Sequence, residues 1–357
     1  PGALHDVGRH RTRVYGGAVG LDYDATSSER WTDMYPSARC NHVLAYDSAN
    51  RVTILFGGES RGMMGGTWAY DSSAGSWTEK RPAVEPSPRS YSAMVYDSAN
   101  GVMVLFGGSD GSLKGDTWLY SVSSNTWTRK APLISPSPRT GHAMVYDSVN
   151  KVVALFGGGD IQSTKNDTWT YNVATNTWSE KKPPVAPPVR HGHGLAFDSA
   201  EGVVVLYGGC EGSQTLTDLW TYNASSNKWV SKSPSSSPWG GVGHSMGYDP
   251  ESGAVILFGG MDRAWLGNSR NDTWAYNVSL DNWSDLNPDS APSGRRFSAM
   301  AYDHAGGYFV LFSGIDESNN VLTDTWGYDP EKNSWTPLDP PVPPPPTEWH
   351  AMAYDEV

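Results

Sequence analysis

Short apolar stretches alternate with turn residues along the whole chain. Residues 87–127 show the unit most clearly. Ser92–Tyr96 and Val102–Phe106 are rich in strand formers, and Asp97-Ser98-Ala99-Asn100-Gly101 between them has turn chemistry. Gly107-Gly108 ends the second stretch. A third strand is expected at Asp116-Thr117-Trp118-Leu119-Tyr120, and Thr126-Trp127 opens a fourth. Four strands in about forty residues form one small antiparallel sheet, which cannot bury both faces alone and needs like neighbours. No helical period persists over a useful length.

The unit recurs with a period near 50. The double glycine returns as Gly16-Gly17, Gly57-Gly58, Gly107-Gly108, Gly157-Gly158, Gly208-Gly209 and Gly259-Gly260, with Ser313-Gly314 as a weaker copy. Tryptophan pairs follow at a spacing of nine: Trp68/Trp77, Trp118/Trp127, Trp169/Trp178, Trp220/Trp229, Trp274/Trp283 and Trp326/Trp335. The first copy keeps only Trp31. First strands end in Tyr-Asp or Phe-Asp, the last of them at Tyr354-Asp355.

This pattern resembles the kelch repeats of β-propellers, such as those in the central domain of galactose oxidase. The resemblance covers nearly the whole chain and implies an all-β, seven-bladed propeller of four-stranded antiparallel blades in a single domain. The blades are expected near 348–355 with 11–31, then 39–77, 89–127, 139–178, 190–229, 242–283 and 296–335. In this scheme the C-terminal strand completes the N-terminal blade and closes the ring. The proline-rich run 340–346 reads as a stiff spacer leading to that strand.

Bulk composition narrows the function. The 357 residues carry a net charge of −12 without any basic stripe, which argues against nucleic acid as a partner. No apolar run approaches ~18 residues, so membrane insertion is not expected. Two cysteines, Cys40 and Cys210, are too few for a disulfide framework and read as free thiols or as small buried residues. The start at Pro1 reads as a processed form or an excised piece. Asn166, Asn223, Asn271, Asn277 and Asn282 stand in sequons and are candidate N-glycosylation sites. With the Trp-, Ser- and Thr-rich composition they favour a secreted or cell-surface location as an expectation.

The turns between first and second strands, and between third and fourth, are uniform; their Asp residues read as turn formers. The opposite face carries the 2–3 loops and 4–1 connections, which vary, and variation on a fixed scaffold is where binding is expected. Arg39, Arg89, Arg139, Arg190 and Arg295 or Arg296 recur there. They read either as an anion trap or as ties between blades through backbone carbonyls, with the tie favoured. In some kelch proteins arginines on this face bind acidic peptides, which the resemblance keeps open. His42, Ser92, His142, His193, His244, Ser298 and His350 follow the arginines; alternation with Ser favours a hydrogen-bonding slot over a metal site.

Three tryptophans exceed the repeat: Trp239, Trp265 and Trp349. Trp265 lies between Arg263 and Arg270 in the longest 2–3 loop. These residues are binding candidates, with plugging of gaps as the structural alternative. Copper enzymes of the galactose-oxidase type carry a Tyr-His dipeptide, and the nitrile-specifier group carries Glu-x-x-x-Asp-x-x-x-His; neither occurs here. No cofactor, metal or catalytic residue is therefore expected. The expected function is non-enzymatic recognition of a protein or a cell-surface glycan. The alternatives are a carbohydrate-active oxidase or hydrolase on the same face, and a structural module of a surface layer or filament.

Overall fold

In the computed structural model, the described residues are 21–23, 31–33, 42–59, 62–239, 241–263, 267–322, 324–338 and 351–353. Among them six four-stranded antiparallel blades, I to VI, surround a central channel. The inner strands, one per blade, are Val43–Asp47, Ala93–Asp97, Ala143–Asp147, Gly194–Asp198, Ser245–Asp249 and Ala299–Asp303. Each blade then runs outward in sequence order. Blade II, for example, continues through Val102–Phe106, Thr117–Ser121 and Thr126–Lys130, with Met94 opposite Leu105, Leu105 opposite Trp118 and Trp118 opposite Arg129.

Burial falls from the channel outward. Inner and second strands are packed on both faces by neighbouring blades, and so are apolar at nearly every position. The outer strand keeps only its Trp inside: Trp127 is buried while Thr126, Thr128 and Arg129 face solvent. Polar and charged residues there protect a free sheet edge from further pairing.

In four blades the outer-strand Trp also hydrogen-bonds back to the preceding blade. Trp127, Trp178, Trp229 and Trp335 donate through Nε1 to Oγ1 of Thr67, Thr117, Thr168 and Thr273 at 2.8, 2.9, 2.9 and 3.0 Å. Blade IV has Leu219 in the threonine position, and Trp283 Nε1 of blade V is buried without a protein partner.

The double glycine has a steric cause. Gly107 has φ +70°, and a Cβ there would stand 2.8 Å from both Arg139 O and His142 Cε1 of the next blade. In blade VI Ser313 adopts φ 56° at this position and donates its hydroxyl to Leu322 O at 2.7 Å.

The expected seventh blade is not formed among the described residues. Blade VI meets blade I directly: Tyr46 Oη donates to Asp303 at 3.1 Å, Ser72 Oγ donates to the same carboxylate at 2.9 Å, and Trp77 packs on Phe312. Leu44, Trp68, Ala299 and Phe312 share one core across this seam. Leu21–Tyr23 and Trp31–Asp33 form a separate two-stranded sheet. Ala351–Ala353 pairs with Val43–Ala45, but in parallel, at the channel edge of blade I. With the ring closed at six, the free inner edge of a complete blade is the pairing surface it takes. The second strand expected at Thr12–Tyr15 and the proline-rich run 340–346 lie outside the described residues.

Candidate functional site

The 2–3 loops and 4–1 connections are knitted into one face. Arg139 N donates to Lys114 O of the preceding blade at 3.0 Å, Gly108 N donates to Arg139 O at 2.9 Å, and Thr140 exchanges two backbone bonds with Gly159 of its own blade. The same pattern joins Arg89 to Met64 and Gly58, and Arg190 to Lys165 and Gly158.

The recurring arginines lie inside this layer. Arg139 donates from Nη1 and Nη2 to Asp167 at 2.6 and 2.7 Å, from Nη1 to Gly157 O, from Nε to Ser137 O and from Nη2 to Ser137 Oγ. All five N–H groups are thereby used. Arg89 pairs likewise with Asp116, Arg190 with Asp218 and Arg295 with Asp324. All four guanidinium groups are buried. Each Asp also accepts from the indole two residues on, Trp118, Trp169, Trp220 or Trp326. Burial alone would raise these carboxyls, but the guanidinium beside each holds Asp116, Asp167, Asp218 and Asp324 below the usual range.

Arg89, Arg139 and Arg190 are not an anion trap, because their guanidinium groups are buried and each is held in a two-point ion pair with Asp116, Asp167 or Asp218. Their guanidinium groups brace their own blade, and the tie to the preceding blade runs through their backbone. The repeat position in blade VI belongs to Arg295; Arg296 is half-buried and donates to Ser269 Oγ at 2.8 Å and Asp316 O at 3.0 Å.

Blade V departs from the rule. Gly241 takes the arginine position, as its carbonyl accepting from Gly209 N shows. Asp272 is held instead by Arg270, at 3.0 Å. Arg270 is thus committed to an ion pair, whereas Arg263 is exposed. Trp239, two residues before Gly241, is 70% exposed. It fills no gap, which removes the plug alternative for this residue; its neighbour Pro238 is the buried one and accepts from Tyr207 Oη at 2.7 Å. Arg39, Cys40, Trp265 and Trp349 lie outside the described residues. Among the sequons, Asn166 and Asn271 are exposed and Asn223, Asn277 and Asn282 half-buried.

Around the channel mouth runs a collar of backbone hydrogen bonds: Phe297 N to Gly243 O, Gly243 N to Gly192 O, and Gly192 N to Gly141 O, at 2.6, 3.4 and 3.2 Å. The collar residues have φ between 56° and 69°. Glycine suits that conformation, yet Tyr91 and Phe297 also adopt it, at 56° each. A bulky residue held left-handed stores strain, and such outliers cluster at functional sites. Sequence reasoning missed this collar; the signal was Tyr91 and Phe297 standing where other repeats have glycine.

Below the collar lies a cavity of about 580 Å³. His142, His193 and His244 line it, each edge-on to an aromatic ring of the preceding blade: Phe106, Phe156 and Tyr207. The expected hydrogen-bonding slot is therefore chiefly a packing slot. Burial pulls His142 down to about 3 and His244 to about 4, and lowers His193 well below its ordinary value, so all three are neutral. Cys210 is a buried free thiol, 3.2 Å from His191 Nε2, and burial pushes it up to about 11. Among the described residues no three His, Cys, Asp or Glu side chains are grouped to hold a metal.

With this geometry the comparisons with known proteins agree. The KLHDC2/KLHL20/DRC7 Kelch-repeats domain matches three times, over residues 18–184, 67–238 and 181–356. The chain belongs to the kelch-repeat family. Among curated relatives, the F-box/kelch-repeat protein At1g51550 of Arabidopsis thaliana is 32% identical over 181 residues, 46% of this chain and 37% of that protein. Mei4-dependent protein 6 of Schizosaccharomyces pombe is 25% identical over 164 residues, 42% of this chain and 23% of its own length. Multiple epidermal growth factor-like domains protein 8 of Mus musculus is 26% identical over 175 residues, 47% of this chain and 6% of its own. The matches thus cover less than half of each relative. Kelch propellers are typically protein-interaction modules, and this chain has that architecture.

Proposed function

We propose that this kelch propeller is a non-enzymatic protein-binding module that engages its partner through the face of 2–3 loops and 4–1 connections. The observation that carries the reading is the division of that face into two layers. Beneath, the repeated arginines are buried, and each is committed to a two-point ion pair with an Asp that also accepts from an indole. Above, the residues that break the repeat are presented to solvent: Trp239 at 70% and Ile161, on a 2–3 loop, at 88% exposure. An exposed indole on a rigid frame has the character of an interface anchor.

Site-specific photocrosslinking tests this. A benzoylphenylalanine at position 161 should yield adducts with a discrete protein in extracts of the source cells. The same group at position 280, on the opposite face, should not. Equal adduct patterns from both positions would count against the reading.

A further inference from the structure

The 4–1 connections that leave blades I, II and III differ from those that leave blades IV and V. Five residues before the repeat arginine, or before Gly241 in its place, stand Val84, Ile134 and Val185, then Ser236 and Ser290. The serines have a structural task. Ser236 Oγ donates to Trp283 O at 2.9 Å and Ser290 Oγ to Trp335 O at 3.3 Å, each on the outer strand of the following blade. The aliphatic side chains are instead more than half exposed, and Leu133 beside Ile134 is fully exposed. Aliphatic groups repeated at one exposed position offer apolar surface to a partner.

Cations accompany them. Lys80, Lys130 and Lys181 stand nine residues before the same arginines, with Arg81, Arg129 and Lys182 adjacent. Arg81 pairs with Glu79 and Lys182 with Glu180, but Lys80, Arg129, Lys130 and Lys181 have no carboxylate partner among the described residues. Charge on an outer strand also keeps its edge from pairing, yet either sign does that, and blade V has Asp285 there. Edge protection leaves the exposed aliphatic groups unexplained. At blade II, Arg129 and Lys130 border a surface recess of about 370 Å³, whose carboxylate, Asp116, is already paired with Arg89.

These connections start from the outer strands, so the strip they form follows the rim of the loop face over three consecutive blades. It is basic and apolar on a chain of net charge −12, and its complement carries carboxylates and apolar side chains. The 2–3 loops, nearer the channel, carry Asp110, Asp160, Glu211, Asp262 and Asp316. A flat anionic membrane laid on this face would meet those carboxylates as well as the cations, whereas a polypeptide segment can follow the rim alone. We propose that the rim strip of blades I to III docks an acidic polypeptide segment with apolar side chains spaced along it. This rests on the protein-binding reading and names the chemistry of the partner.

A random peptide library displayed on phage and selected on the intact chain tests this. The sequences recovered should be rich in Asp, Glu and large apolar residues. Made as fluorescein-labelled peptides, they should bind the parent by anisotropy, more weakly as salt is raised. Arg129→Glu/Leu133→Ser, on the strip, should weaken binding about tenfold or more. Lys228→Glu/Leu280→Ser makes the same change of charge and polarity on the opposite face, and should stay within about twofold of the parent. All four positions are exposed, so both variants should fold. Recovery of no peptides, recovery of peptides without acidic residues, or equal binding by Arg129→Glu/Leu133→Ser would each overturn the inference. Loss of binding with Ile161→Glu/Trp239→Ala instead would overturn it and leave the loop-face reading standing; indifference to both variants would overturn both. Vesicles of equimolar phosphatidylcholine and phosphatidylserine give the last comparison. Their binding by the parent but not by Arg129→Glu/Leu133→Ser, without peptide binding, would overturn the inference in favour of a membrane surface.

Discussion

Arg139 and Asp167 lie 28 residues apart in sequence and form one hydrogen-bonded unit with Trp169, in which the guanidinium is buried. Removing Asp167 leaves the buried Arg139 guanidinium uncompensated, whereas removing Arg139 leaves a carboxylate that is 24% exposed. Asp167→Ala should therefore cost about 3–5 kcal/mol in urea unfolding; a loss below about 1 kcal/mol, the range of an exposed pair, would contradict the geometry. The arginine was legible as a recurring residue, but its partner was not, since a separation of this length carries no local signal.

The channel histidines give a pH dependence at the same scale. In the unfolded chain each titrates near ~6.5, whereas burial keeps His142, His193 and His244 neutral in the fold. Between about pH 6.5 and 4 unfolding thus takes up protons, and stability falls as pH falls, by up to about 1.4 kcal/mol per pH unit for each imidazole. Burial raises Asp147 and Asp198, which act in the opposite sense at the acidic end of the window. Urea midpoints at pH 7 and pH 5 check the sign: the lower midpoint should be at pH 5.

At the scale of elements, the outer strand is anchored by one indole. Thr168→Val keeps the size of the side chain at the blade III–IV junction but orphans Trp229 Nε1, and should cost about 1–3 kcal/mol. The same substitution at Thr325, for which no blade I indole bond is seen, should cost less; chemical denaturation of both variants compares them. Strand positions were legible because apolar runs, turn residues and paired tryptophans all repeat together. The 2–3 loops were legible only as variable. That Tyr91 and Phe297 would be forced into a left-handed collar followed from where neighbouring blades approach, which no single repeat encodes.

For the whole molecule, the closure was the least legible feature. Residues 348–355 have a first-strand pattern, and pattern alone suggested a blade shared between the chain ends. Whether such a strand makes a blade or adds to an existing one depends on where the ring closes, a nonlocal matter. The seam between blades VI and I is packed like a core. Phe312→Ala should accordingly cost about 3–5 kcal/mol, as a buried aromatic does, and Phe156→Ala at an ordinary junction should cost about the same. A cost below about 1 kcal/mol at Phe312 alone, read from thermal or urea unfolding, would show that the six blades do not close there.

The binding face is tested most directly by quantitative affinity enrichment from one extract with three proteins: the parent, Ile161→Glu/Trp239→Ala on the loop face, and Val149→Glu/Leu280→Glu on the opposite turns. All four positions are exposed, so the fold should be unaffected. The partner recovered with the parent should be lost with Ile161→Glu/Trp239→Ala and retained with Val149→Glu/Leu280→Glu. Retention by the first variant with loss by the second would place the interface on the other face and contradict it.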